Sequence, residues 1–409
     1  MLIRSLRLAV ALMLWAGCAA EPPSLAVGEI EFYGAPGSGE PNLYGAGDGR
    51  AILTWFEPVG GEDYALRVAV RQAGLWSQPN TIVEGDRFFV NWADFPSLVA
   101  LSDGSWLVHW PERVAETTYA YHVRLAISRD GGADWTPAGT PHRDASPTEH
   151  GFVSMVPLET GGAALVWLDG RQMAQASSAE AGHLAVGDMS LRATTFGADG
   201  AFGPDVLLDG RTCECCQTSL AATESGLIAA YRDRSESEVR NIAVVRRIGS
   251  AWTEPGHVAD DAWTYPGCPV NGPQLATRGD TVVVAWFTAP EEQARVKAAF
   301  SFDGGATFGA PLRVDDGEPL GRVDVEYLES GAAVASWLER VGGGAGAEIR
   351  VRLLWPNGPL GASQVVAETS GARGSGFPRM ARVNDAILVA WTEIGEGGGV
   401  RVAQLELVR

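Results

Sequence analysis

Short runs in which apolar and polar residues alternate recur along the whole chain, as at residues 66–70, 122–128, 242–245, 296–301, 348–352 and 400–405. A period of two puts successive side chains on opposite faces and predicts strands with unlike faces. Each run follows a hairpin signal: a strand, a turn rich in Gly, Asp or Asn, and a second strand ending in an aromatic residue. Copies of this hairpin occupy residues 42–57, 95–112, 152–169, 218–233, 273–288, 323–339 and 377–393. Their anchoring aromatics are Trp55, Trp110, Trp167, Tyr231, Trp286, Trp337 and Trp391, separated by 51 to 64 residues. A short fourth strand usually follows, as at residues 80–83 and 311–314. Four short strands repeated about every 50 residues predict propeller blades. A βαβ arrangement would need helical periodicity between strands, and none is evident after the N-terminus. Residues 173–182 are small and polar without an apolar stripe, and are read as a loop.

The seventh unit ends after its third strand, near residues 405–408, while residues 29–33 (Glu-Ile-Glu-Phe-Tyr) form an isolated strand signal. Pairing the two would close the ring and remove an exposed edge. The expectation is an all-β, seven-bladed propeller over residues 29–409, a single domain closed by an N-terminal strand. Six blades with one irregular unit is the alternative count. Ahead of it, residues 1–17 read as an export signal: Arg4 and Arg7, an apolar run from Leu8 to Trp15, then Ala16-Gly17-Cys18. The Gly-Cys ending resembles a bacterial lipoprotein signal, with Cys18 lipidated and residues 18–28 a tether. An ordinary secretion signal and an uncleaved anchor are the alternatives. The expected location is periplasmic or at the cell surface, bound to a membrane through lipid.

Composition narrows the partners. The chain has 409 residues, with 31 Lys and Arg against 50 Asp and Glu, for a net charge of −19. Such a surface repels polyanions, so nucleic acid is not an expected partner.

Two units contain Ser-x-Asp-x-Gly-x-x-aromatic, at Ser128-Arg129-Asp130-Gly131-Gly132-Ala133-Asp134-Trp135 and at Ser301-Phe302-Asp303-Gly304-Gly305-Ala306-Thr307-Phe308. Shorter relatives occur at residues 71–76, 196–202 and 247–252. These resemble the Asp-box repeats of sialidase-like propellers, across residues 29–408. The resemblance implies that these turns are structural and lie opposite the ligand face. It also implies an arginine group for a sugar carboxylate, a Tyr nucleophile helped by a Glu, and an Asp acid/base. The Phe-Arg-Ile-Pro motif that presents the first arginine is missing; Phe95-Pro96-Ser97-Leu98 and Phe377-Pro378-Arg379-Met380 echo it in part. An active member would be an exo-sialidase-like glycoside hydrolase.

In a propeller, the loop entering each inner strand and the loop leaving each second strand open on one face. That places Glu57, Glu112, Asp169, Asp233, Glu339 and Glu393, each two residues after its aromatic, on a common rim; Thr288 is the exception. They are read either as strand-terminating partners for backbone and Arg donors or as a cation-attracting rim. The fourth unit is densest in chemistry. Arg211, Arg232, Asp233, Arg234 and Arg240, joined by Tyr265 and Asn271 of the next loop, form a candidate anion-binding group. Beside them stand Cys213, Cys215 and Cys216, and aligning units four and five sets Cys268 opposite Cys213.

Four cysteines in an exported chain are read as disulfides, as a soft-metal site for Cu(I) or Zn(II), or as reactive thiols. His150 enters the same mouth and is a further candidate ligand. His109, His122, His142, His183 and His257 have no ligand spacing. Three functions fit: a propeller binding a carboxylated glycan or similar anionic small molecule, with or without hydrolysis; a non-catalytic copper-binding or redox-linked cysteine protein; and a scaffold for an envelope protein partner.

Overall fold

The computed structural model describes residues 23–408 except 33, 176–186, 357 and 359. The expected export signal and the lipidation site Cys18 lie outside the described residues. Seven separate antiparallel sheets follow one another along the chain. Their innermost strands are Gly39–Gly45, Ser97–Ala100, His150–Pro157, Ser219–Thr223, Gln274–Arg278, Pro319–Tyr327 and Arg379–Val383, in blades 1 to 7. Neighbouring inner strands touch around the ring, and blade 1 contacts blade 7. The seven-bladed count holds, and the six-bladed alternative is set aside. Of residues 173–182, those up to Gln175 belong to a 3-10 helix, Arg171–Gln175, where a loop was expected.

Closure works as the edge argument requires, with a shifted boundary. Ser24–Ile30 pairs antiparallel with Gly399–Val408, from Ser24 opposite Val408 to Ile30 opposite Val402. The expected strand began at Glu29. The pairing starts earlier, at Ser24, and ends at Ile30, ahead of Phe32, whose side chain turns into the core. Its ring lies edge-on to Trp55 at 5.3 Å and tilted against Trp76 at 4.9 Å, a packing that closes the seam between blades 7 and 1.

The acid two places after the aromatic has a local task in three blades. Trp55 Nε1 donates to Glu57 (3.3 Å), Trp167 Nε1 to Asp169 (2.9 Å), and Trp337 Nε1 to Glu339 (2.5 Å). A buried indole N–H needs an acceptor, and these carboxylates supply it while remaining paired with other donors such as Arg67 and Arg171. The structure thus gives these three acids partners of their own.

The two full Ser-x-Asp turns fold alike. Ser128 Oγ donates to Asp130 (2.8 Å), and the amides of Ala133 and Asp134 also donate to Asp130. Asp303 accepts from Ser301 Oγ (2.7 Å) and from the Thr307 amide (2.9 Å). What burial it has works the other way, but donors from Thr307 and Ser301 hold its carboxyl down to about 2. The Gly304 amide donates to Asp280 O, in the turn joining the first two strands of blade 5. The motif therefore sits at the end of the ring opposite the loops that enter the inner strands.

Candidate thiol site at the channel mouth

The ring encloses a channel of about 180 Å³, lined among others by Asp94, Phe95, Gln217, Gln274, Asp324 and Arg379. At its mouth the chain leaves the last strand of blade 3 (Val206–Thr212), runs through Cys213, Glu214, Cys215 and Cys216, and enters blade 4. Both ends of this loop are pinned. The Cys213 amide donates to Arg232 O (3.0 Å). Gln217 Nε2 donates to Ala93 O (2.6 Å), and Gln217 Oε1 accepts from the Gly272 amide (3.0 Å).

This tight path brings the sulfurs of Cys213, Cys215 and Cys216 within 4.8 Å of one another. Cys213 and Cys216 are buried, and their sulfurs stand 3.3 Å apart. Cys268 is exposed on the loop between blades 4 and 5, on the side of Cys215, whose thiol it influences. Three of the four thiols gather, and Cys268 stands outside that group. The disulfide expectation is overturned: all four are free, and 3.3 Å is far longer than the roughly 2.05 Å of a bond. Two adjacent cysteines on a single tight loop fan their sulfurs around a point, which leaves no pair in bonding geometry.

The arginines next to the thiols are taken up in holding the two loops together. Arg232 is 1% exposed. Its Nε and NH2 donate to Asn271 O, NH2 also to Phe287 O, and NH1 to Arg240 O, with the guanidinium 5.0 Å over the Trp263 ring. Arg240 donates to Tyr265 O and pairs with Glu238; Arg234 pairs with Glu214 and Glu238. Arg211 lies 3.3 Å from Asp188, and Asp233 contacts His257 Nε2 at 3.0 Å. Tyr265 is exposed and stacked on Trp263. The Asn271 amide donates to Cys216 Sγ at 3.4 Å. Residues 263–272, which carry Cys268, are thereby clamped over residues 213–217 by two buried guanidiniums.

The electrostatics separate the thiols. Burial pushes Cys213 up to about 12, and Cys215 is raised well above the ordinary thiol range, first by contact with Cys213, Cys216 and Cys268. Cys216 goes the other way. Against the cost of burial, its neighbouring thiols, the Arg232 charge and the Asn271 amide hold it well below the usual thiol range. One sulfur is thus set up as the thiolate, the form that binds a metal.

Sequence reasoning missed two groups beside this loop. Tyr121 Oη donates to Glu149 (2.8 Å), next to the buried carboxylate of Asp94, which accepts the Phe152 amide (3.1 Å). Gly151 makes room for them, since a Cβ there would lie 2.1 Å from Asp94 Oδ2. Burial lifts Glu149 to about 8, with Asp94, Glu214 and Cys213 adding to the rise. The second group is histidine. His150 does not join the thiols; it packs with His122 and His142. These residues come from a third strand, a crossover loop and an inner strand, so no sequence spacing announces them.

No family model and no curated protein sequence matches the chain. Among solved structures, a protein of unknown function from Dyadobacter fermentans is similar at TM-score 0.51 and 15% identity, covering 94% of this chain and 99% of that one. The GH93 alpha-L-arabinofuranosidase of Fusarium graminearum is similar at TM-score 0.50 and 12% identity over 94% and 97%. An ulvan lyase of polysaccharide lyase family PL25 reaches TM-score 0.59 at 10% identity over 91% and 95%. At such identities the likeness is one of fold, and the fold this chain shares with them is the β-propeller.

Proposed function

We propose that the protein binds a soft metal ion, of the Cu(I) class, through Cys213, Cys215 and Cys216 at the mouth of its channel, with Cys268 as an outer fourth ligand. The observation that carries this reading is the gathering of three sulfurs within 4.8 Å of one another on a loop pinned at both ends. An all-sulfur donor set selects soft ions. Structural Zn(II) takes four ligands in a closed tetrahedron, whereas here three sulfurs cluster and the fourth stands exposed at the edge. The buried Arg232 charge offsets part of the negative charge that thiolates bring.

A glycan or other anionic ligand is the competing reading, supported by the fold shared with glycan-acting enzymes. It has less local support, because the arginines proposed to receive an anion are engaged with carbonyls and acids. Anaerobic titration against a chromophoric Cu(I) chelator decides. The expected result is one Cu(I) per chain, with the Cys216→Ser affinity lower by at least about 100-fold. Failure of the intact, fully reduced chain to take Cu(I) from the chelator would remove the reading. Preference for Zn(II) in the same competition would change the metal and keep the site.

A further inference from the structure

The four thiols differ in access. Cys213 and Cys216 are each 1% exposed, Cys215 is half-buried, and Cys268 is exposed, on the side of Cys215. Among the described residues Cys268 is thus the thiol that solvent reaches most freely, and it stands outside the cluster of three. Its loop is anchored on both sides. Tyr265, before it, donates its amide to Glu238 O (3.0 Å) and accepts Arg240 Nε on its carbonyl (3.0 Å). Asn271, after it, accepts Arg232 on its carbonyl and donates its amide to Cys216 Sγ. Gly272 lets the two loops meet backbone to backbone, since a Cβ there would lie 2.1 Å from Gln217 O.

Between these anchors the chain has little freedom. Pro266 and Pro269 stand on either side of Gly267-Cys268 and fix φ at their own positions. Val270 is left-handed, at φ 48°, a conformation that a β-branched residue keeps only where its surroundings impose it. The loop therefore holds one sulfur at a set place outside a buried cluster. The chemistry of Cu(I) gives that placement a use. The ion is held by soft ligands, and it passes between them by exchange, the incoming sulfur bonding before the old ligand leaves. An ion still bound to its carrier is too bulky to reach sulfurs that are 1% exposed behind a clamped loop. The first new bond has to come from an exposed sulfur.

We propose that Cys268 is the entry ligand of the thiol site: it takes Cu(I) from a carrier that holds the ion on soft ligands and draws it inward to Cys215, then to Cys213 and Cys216. The role rests on the Cu(I) reading of the thiols. The ion stays Cu(I) throughout. Each bond to the carrier that breaks is replaced by a sulfur–copper bond in this chain, the carrier leaves with its own ligands, and each thiol that bonds gives its proton to solvent. Cys268 keeps its bond as the outer ligand.

The test mixes the full, reduced chain anaerobically with Cu(I) presented as its complex with a chromophoric chelator, and stopped flow follows the loss of the chelate's colour. Loading of the parent should speed up as chain concentration rises, because transfer needs direct contact. Cys268→Ser should load more slowly by about tenfold or more and should still fill the site at equilibrium. Cys268→Met restores a soft sulfur donor and should recover much of the lost rate. An unchanged loading rate in Cys268→Ser, whatever happens to release, would make Cys268 a holding ligand alone and overturn the entry role, with the Cu(I) site left standing. Equal slowing in the Ser and Met variants would assign the effect to the shape of the loop and overturn it too. Failure of the intact chain to take any Cu(I) at equilibrium would remove the site and the entry role together.

Discussion

Blades 1, 3 and 6 and the seam between blades 4 and 5 solve the same problem in opposite ways. In the three regular blades the indole N–H is satisfied from within, by the acid two residues on. At the seam, satisfaction comes from outside. Blade 5 has Thr288 where the acid would stand, and Asp261, from the segment arriving from blade 4, bonds Trp286 Nε1 at 2.7 Å and Lys297 Nζ at 2.5 Å. Blade 4 has Tyr231 in place of tryptophan, and its hydroxyl bonds Asp209 of blade 3 at 2.5 Å. That frees Asp233 to meet the Arg234 amide and His257. The loops that gather the thiols lie at this seam. The difference teaches that the repeated device builds the ring, and that positions departing from it tie one blade's loops to the next.

The sharpest way to break the comparison is to empty a regular blade. Trp337 is fully buried, and Trp337→Ala should cost about 3–5 kcal/mol through the cavity it leaves. Calorimetry should show a lower Tm, while metal taken up per folded chain stays unchanged. Loss of metal binding in the folded variant would mean that the regular blades and the seam are not separable.

How much of this is written in the chain follows from the range over which each feature acts. The aromatic register and the Ser-x-Asp turns are local, so period and spacing exposed them. Closure by the N-terminus was legible because a missing strand leaves an edge, although the paired strand runs from Ser24 to Ile30 and Phe32 packs into the core beyond it. The clustering of Cys213, Cys215 and Cys216 was legible from their closeness in sequence, whereas blade alignment set Cys268 opposite Cys213 and the cluster forms without it. The free state of the thiols was not, because it depends on how one tight loop fans its sulfurs. The role of Arg232 was hidden as well: its acceptors are carbonyls of residues 240, 271 and 287, which no side-chain pattern reports. The histidines converge from residues 122, 142 and 150 through a loop whose carbonyl directions have no sequence signature.

A second, smaller effect sharpens the comparison by pH. Asp94 belongs to the segment entering blade 2, and Ala93 before it is tied to the thiol loop through Gln217. Burial lifts its carboxyl to about 7, against the pull of the Phe152 amide and the Tyr121 hydroxyl. In the unfolded chain the same group ionises near about 3.9. Between these values the folded state holds a proton that the unfolded state has shed, so stability falls as pH rises through about 4 to 7, then levels off. Asp94→Asn should remove that fall. The variant should match the parent near pH 4 and exceed it at pH 8 by a few kcal/mol, the pKa difference setting an upper bound of about 4 kcal/mol. Urea unfolding at several pH values checks this, and parallel pH profiles would exonerate Asp94 as the group responsible.

The smallest effect is the most diagnostic, because it acts on the seam alone. Asp261 accepts Trp286 Nε1 with one oxygen and pairs with Lys297 through the other, while its amide is held by Asn241 Oδ1. Asp261→Asn preserves the shape and one acceptor but removes the charge facing Lys297. Loss of one charge-assisted bond should cost about 1–2 kcal/mol. The residue also stands where the chain turns toward the clamped loop of Cys268. A cap supplied from outside should therefore do two jobs, satisfying blade 5 and fixing the start of that loop. Cu(I) affinity should drop modestly in Asp261→Asn, by about threefold to tenfold, which is RT ln of that ratio or roughly 0.7–1.4 kcal/mol. A matched substitution in a regular blade, Glu57→Gln, removes the same kind of charge from Trp55 and Arg67 and should leave Cu(I) affinity where it was. Equal behaviour of the two variants would reduce the seam to a variation in capping with no bearing on the thiols; a drop confined to Asp261→Asn would make capping and thiol placement parts of one device.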